Sequence, residues 1–175
     1  MQRLLPLLAF AFLAAAPASA ELVIRDVTWQ LAPGRAEAGK PRGFKPIERW
    51  VQPPTARLSA KPRALITVAN RGPNAVDGMV LRYALSARLV KTTGPVAAGV
   101  WAVPFYLNER RVPRVGPNQV KEIPLNDLVL DVFLKKSYRA GYWPDALKIQ
   151  VMVEPRAGEG LEQRILEDTL PVTEK

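Results

Sequence analysis

Residues 64–87 read ALITVANRGPNAVDGMVLRYALSA, and their alternation decides the fold class. In the first half Ala64, Ile66 and Val68 share one face. In the second half Met79, Leu81, Tyr83 and Leu85 share one face, with Val80, Arg82, Ala84 and Ser86 on the other. A period of two is the signature of half-buried strands. The link between them, Asn70 to Gly78, holds Asn70, Gly72, Pro73, Asn74, Asp77 and Gly78, residue types that turn the chain. Gly72 is expected to supply a positive φ, and Asn70 to bond the turning backbone through its side chain. The link is too long for a two-residue turn, so it fits either a hairpin or a crossing between two sheets.

Working outward, ELVIRDVTW (Glu21–Trp29) reads as a first strand. The next stretch carries Pro33, Pro41, Pro46, Pro53 and Pro54 with Gly34, Gly39 and Gly43. It predicts a long irregular loop over about 31–55. VWAVPFYL (100–107) is a strand candidate that Pro104 pushes toward an edge or a bulge. NERRVPRVGPNQ reads as turns, and VKEIPL (120–125) as a short strand. The period then changes. Leu128, Val129, Val132 and Phe133 have the spacing of one helix face, with Asn126 placed to cap, Asp127 and Asp131 at the positive end, and Gly141 just past the end. A strand followed by a loop competes with that helix. ALKIQVMVEP (146–155) alternates cleanly, with Leu147, Ile149, Val151 and Val153 on one side, and QRILEDTLPV supplies a last strand.

About seven short strands with one short helix inserted late, each strand apolar on one side, require a second layer to bury against. The expected fold is all-β, a two-sheet β-sandwich of immunoglobulin-like type, in one domain over residues 21–175. The first twenty residues, MQRLLPLLAFAFLAAAPASA, read as a signal peptide: Arg3, an apolar run from Leu4 to Ala16, and a small-x-small site at Ala18-Ser19-Ala20 that places cleavage after Ala20. No later apolar run approaches the length of a membrane span. The chain has no Cys and carries a formal charge of +9; without Arg3 it is +8, from 24 basic and 16 acidic residues. Such a chain is drawn to anionic surfaces.

The segment ITVANRGPNAVDGMVLRYAL resembles bacterial immunoglobulin-like and fibronectin-type modules, nearest the cell-adhesion-related bacterial domain (CARDB). There a strand ending V-x-N-x-G is followed by a small residue and an alternating strand. The matching residues are Val68, Asn70, Gly72, Ala75, Leu81 and Tyr83, and LKIQVMVEP looks like the penultimate strand of such modules. The resemblance implies an adhesion or protein-interaction role.

The chemistry is bounded by what is missing. Without His or Cys, Ser-His-Asp and Cys-His catalysis and imidazole or thiolate metal sites are excluded. The carboxylates have no calcium-loop spacing, and there is no phosphate cradle or nucleophile elbow. Neither an enzyme nor a cofactor is expected. The candidate ligand-binding residues are Lys40, Arg42, Phe44, Lys45, Arg49 and Trp50, where bases and aromatics interleave on the long loop. The competing reading has that loop tucking Phe44 or Trp50 onto the sandwich. Trp29 and Trp101 are expected to pack, and Trp143 to clamp the helix end. The sequence therefore predicts an exported binding module, periplasmic or secreted, that contacts an envelope protein by a strand edge or by the basic loop. The alternative is a protein binding carbohydrate or an anionic glycan or lipid surface through that loop. Nucleic acid is not an expected partner for an exported chain.

Overall fold

Alternating strands can bury their apolar sides only against one another, and they do so in two sheets. The computed structural model describes residues 22–32, 43–55, 58, 60–93, 98–154 and 164–174. The expected signal peptide, Lys40 and Arg42 lie outside the described residues. One sheet has the order β2-β1-β4-β8, from β1 (Leu22–Leu31), β2 (Lys45–Pro46), β4 (Pro62–Asn70) and β8 (Val120–Leu125). The other has the order β3-β10-β9-β5-β6, from β3 (Trp50–Val51), β5 (Val80–Lys91), β6 (Val100–Trp101), β9 (Tyr142–Val153) and β10 (Ile165–Thr173). β7 (Tyr106–Arg111) also pairs with β5. The fold is an all-β sandwich with one helix among the described residues, α1 (Leu130–Arg139), joining β8 to β9.

The core is the meeting of the two predicted stripes. Ala64, Ile66 and Val68 are fully buried, as are Leu81, Leu85, Leu147, Ile149, Val151 and Val153, with Tyr83 nearly so. Burying a side chain of this size stabilises the fold by about 1.5–3 kcal/mol, so these rows specify which face of each strand turns inward. The link after β4 crosses between sheets. Its anchor is Asn70, buried at the end of β4. The Asn70 amide donates to the carbonyls of Asn74 (2.7 Å), Gly116 (3.0 Å) and Val115 (3.2 Å), and its Oδ1 accepts the Gly72 N–H at 2.9 Å. Gly72 does not take a positive φ; Gly78 does, at +70°, where the link turns into β5. The side chain of Asn70 already turns the chain at Gly72, and the left-handed residue is needed only at the second bend.

Four expectations need correction. The long loop is partly sheet: β1 runs on to Leu31, and Lys45–Pro46 and Trp50–Val51 pair with β1 and β10. NERR is strand, since β7 pairs Asn108 with Tyr83 and Arg111 with Val80. Pro104 splits VWAVPFYL into β6 and β7. The helix starts later than Asn126 would place it. Its N-cap is Val129, left-handed at φ 37°, with no side-chain cap. Leu130, Leu134 and Ser137 are buried, while Val129 and Val132 are about half exposed at 46% and 51%. Asp127 is held elsewhere, which delays the first turn. The stop signals behave as expected: Gly141, at φ +80°, donates its N–H to Tyr138 O at 3.0 Å.

Candidate functional site

Of the loop residues singled out by the sequence, Phe44, Lys45, Arg49 and Trp50 are among the described residues. Phe44 is half-buried beneath the Arg63 guanidinium, 3.6 Å from its ring centre, and Lys45 and Arg49 are exposed. Trp50 is fully buried. It sits on β3 opposite Val172 of β10, so its ring belongs to the core and cannot meet a ligand. The physical reason is that residues 47–49 cross from the β1 edge to the β10 edge, and Trp50 plugs the open side of the sandwich at the end of that crossing. A groove of about 690 Å³ lies there, lined by Asp26, Trp29, Glu48, Arg49 and Asp168 among others. Three carboxylates against one guanidinium give it the wrong sign for an anionic polymer.

A second polar centre is structural. Tyr83 O–H donates to Asp127 Oδ1 at 2.9 Å, and Asn108 Nδ2 donates to Asp127 Oδ2 at 2.8 Å. Burial, and then the hydrogen bond to Asp127, push the Tyr83 phenol well above the ordinary tyrosine range. It stays protonated at physiological pH and donates to Asp127. Asp127 thus ties β5 and β7 to the chain entering α1, rather than compensating the helix dipole. Trp143 is buried, donates its Nε1–H to Gln52 O at 3.2 Å, and meets Tyr138 of the helix edge-on.

The free strand edges are blunted. Val112 N–H bonds Met79 O, so Leu107, Glu109 and Arg111 direct their backbone groups away from β5. Of these outward groups, the Glu109 N–H is occupied by Asn108 Oδ1 at 2.9 Å. On β8, Asn70 N–H bonds Gln119 O, which makes Val120, Glu122 and Pro124 the outward residues. Pro124 has no N–H, and its carbonyl accepts from Arg110 Nη1 at 2.6 Å. Pro46 takes the outward position on β2, Pro104 interrupts the β6–β7 edge, and β3 is two residues long. These are the devices that prevent another strand from adding.

What remains is the outer face of the larger sheet and its β6–β7 border. Ala84 and Ser86 of β5 give that face a low floor, and a furrow of about 610 Å³ runs over Ala84 between Leu107 and the Gln150, Met152 and Ile165 side. Beside Ser86, Lys148 reaches over the sheet with its Nζ 5.2 Å from the Trp101 ring centre. The border carries the large apolar residues: Val103 is 82% exposed, Leu107 72%, Val100 71% and Trp101 41%. Trp101, expected to pack, lies on the short edge strand β6 with only half a neighbourhood to bury in. Phe105, between β6 and β7, stacks on Phe133 of α1 with ring centres 3.7 Å apart, which joins the border to the helix that exposes Val129 and Val132. Apart from Arg111 at the end of β7, the charged side chains of β5, β7 and β9 on this face are matched. Arg88 pairs with Asp145 at 2.8 Å, Lys148 with Glu167 at 3.3 Å, and Arg82 with both Glu109 (3.6 Å) and Glu154 (3.5 Å).

Sequence reasoning passed over this face. A usable signal was present in VWAVPFYLNERR, where apolar residues fall at both parities of a Pro-broken strand, so some must face water. Among the described residues no helix is long and apolar enough to cross a membrane, and no cluster of three or more carboxylates could hold a metal ion. No protein-family model and no curated protein matches the chain. Among solved structures, the β-D-glucoside glucohydrolase of Trichoderma reesei is similar at a TM-score of 0.42 and 13% identity, over 88% of this chain. The chain spans only 19% of that enzyme's length, and nothing about its own chemistry follows from the likeness.

Proposed function

We propose that this chain is an exported, non-enzymatic binding module of the bacterial envelope, immunoglobulin-like in its strand order, that docks another protein on the β6–β7 border. The observation that carries the reading is the group of exposed Val100, Trp101, Val103 and Leu107 along the single stretch that forms β6, β7 and their link. Large apolar residues grouped in water mark interaction surfaces, and a half-exposed Trp among them is the residue type that anchors interfaces. Docking uses the side chains of this border, because the strand edges that could add a peptide are interrupted by Pro46, Pro104, Pro124 and Asn108. The immunoglobulin-like assignment is supported by the pairing pattern: β1-β4-β8 on one side and β10-β9-β5-β7 on the other, with crossings between β4 and β5 and between β7 and β8. Export is supported by the composition of residues 1–20. The test places a photo-crosslinking residue at Leu107, with a second at Val120 on β8 as control, in full-length protein in its own cells. A discrete protein adduct from position 107 and none from 120 is expected. No adduct from 107 would reject the reading.

A further inference from the structure

We infer that the partner at this border is a different, acidic protein, whose apolar knob meets Val103 and Leu107 and whose flanking carboxylates meet Arg111 and Arg114. This rests on the binding reading above and adds the partner's chemistry. The carboxylates on this face of the sheet are engaged: Glu109 and Glu154 share Arg82, Asp145 holds Arg88, and Glu167 holds Lys148. The charge left over is positive and lies at one end. Residues 110–114 read RRVPR. Arg110 is committed to the Pro124 carbonyl. Arg111 and Arg114 are exposed and have no hydrogen-bond or ion-pair partner among the described residues.

Arg111 belongs to the same outward row of β7 as Leu107, four residues along, which is about 13 Å of strand. An apolar anchor and the unmatched Arg111 guanidinium therefore lie on one face, and Arg114, also exposed, follows three residues further along the chain. A guanidinium takes a carboxylate bidentately, so carboxylates at that distance from an apolar knob satisfy both halves of the surface at once. A second copy of this chain is disfavoured, because each exported copy carries +8 without Arg3 and would set its unmatched arginines against those of the other. A phosphate backbone would satisfy the arginines but leave Val103 and Leu107 in water.

The experiment measures the Leu107 adduct from envelope extracts in 50 mM and 500 mM NaCl, and again in an Arg111→Glu, Arg114→Glu protein. An Arg25→Glu, Lys45→Glu protein carries the same charge change on the other sheet, away from the border. The expected result is one adduct with a protein of net negative charge. Its yield falls at least tenfold in high salt and in the border variant, and it is unchanged in the control variant. All four residues are exposed, and equal melting of both variants confirms folding. An adduct indifferent to salt and to the border charges overturns the inference while leaving the binding reading standing. So does an adduct with a second copy of the chain, or one removed by nuclease. Absence of any adduct from position 107 overturns both.

Discussion

Tyr83 holds its phenol proton against Asp127 from a position with almost no water contact. Burial and the carboxylate both raise its folded pKa above the unfolded value of about 10. A group raised in the fold contributes stability that is complete below the unfolded pKa and is lost as pH climbs through it toward the folded value. The protein should therefore lose stability above about pH 10 with a slope that a Tyr83→Phe variant lacks. Urea midpoints between pH 8 and 11.5 measure this, and parallel curves for the two proteins would refute it. Trp50 makes a sharper case. Its ring is fully buried and its Nε1–H has no hydrogen-bond partner. Trp50→Ala should cost about 3–5 kcal/mol, whereas Trp50→Phe, which deletes an unpaired donor and keeps most of the apolar area, should cost under about 1.5 kcal/mol. Chemical denaturation of the two variants decides it; a harmless Trp50→Ala would return that ring to the surface. The sequence offered two readings of Trp50, and its burial bears out the one in which the loop tucks that ring onto the sandwich; a ring flanked by Lys and Arg reads the same locally whether it points out to a ligand or in. The distinction depends on a crossing between sheets that no local pattern encodes.

At the scale of elements, legibility followed strength of alternation. The rows of β4, β5 and β9 were readable because period two is repeated over many residues and each slip would expose a whole face. The short pairings of β2 and β3 were unreadable, since two residues have no period. The helix was readable at its end, where Gly141 is needed for a left-handed turn, and misplaced at its start. Asp127 has the composition of a first-turn residue but is captured by Tyr83 and Asn108, so the first turn is delayed to a β-branched Val129 in the left-handed region. That conformation costs an L residue roughly 1–2 kcal/mol, which Gly does not pay. Val129→Gly should raise stability by about 1 kcal/mol in equilibrium unfolding, because the side chain it removes is half exposed. A loss of stability would show that the Val129 side chain contributes more than its backbone costs. The edges make a separate prediction. Pro46 and Pro124 occupy outward positions, so Pro46→Val with Pro124→Val leaves the inward ladder intact while supplying two new edge donors. Light scattering should then show concentration-dependent association absent from the parent protein; if both proteins remain monomeric, the prolines do not guard the edges.

The whole molecule is held by pairings between distant segments. Trp29 pairs with Ala64, Ala64 with Leu125, and Leu81 with Val153, so each sheet is complete only when both halves of the chain have met. No disulfide shortens these loops, and α1 is the single helix among the described residues. Loop-closure entropy is therefore spent before most of the core forms, and the entropy is recovered only when the two inner stripes close on each other. Folding should accordingly be slow for a chain of this size, in milliseconds to seconds, as for other sandwiches dominated by non-local pairs. Trp29, Trp50 and Trp143 all pass from water to the interior, which gives stopped-flow fluorescence a large signal. The border is the exception to this cooperativity. Val100, Val103 and Leu107 gain little from folding and stay in water in the free chain, so Leu107→Ser should leave both the refolding rate and the unfolding midpoint within about 0.5 kcal/mol of the parent. Refolding in microseconds would contradict the non-local architecture. A Leu107→Ser protein that refolds several-fold more slowly would mean that Leu107 is part of the core's assembly, and the border would lose its claim to be a surface kept free for a partner.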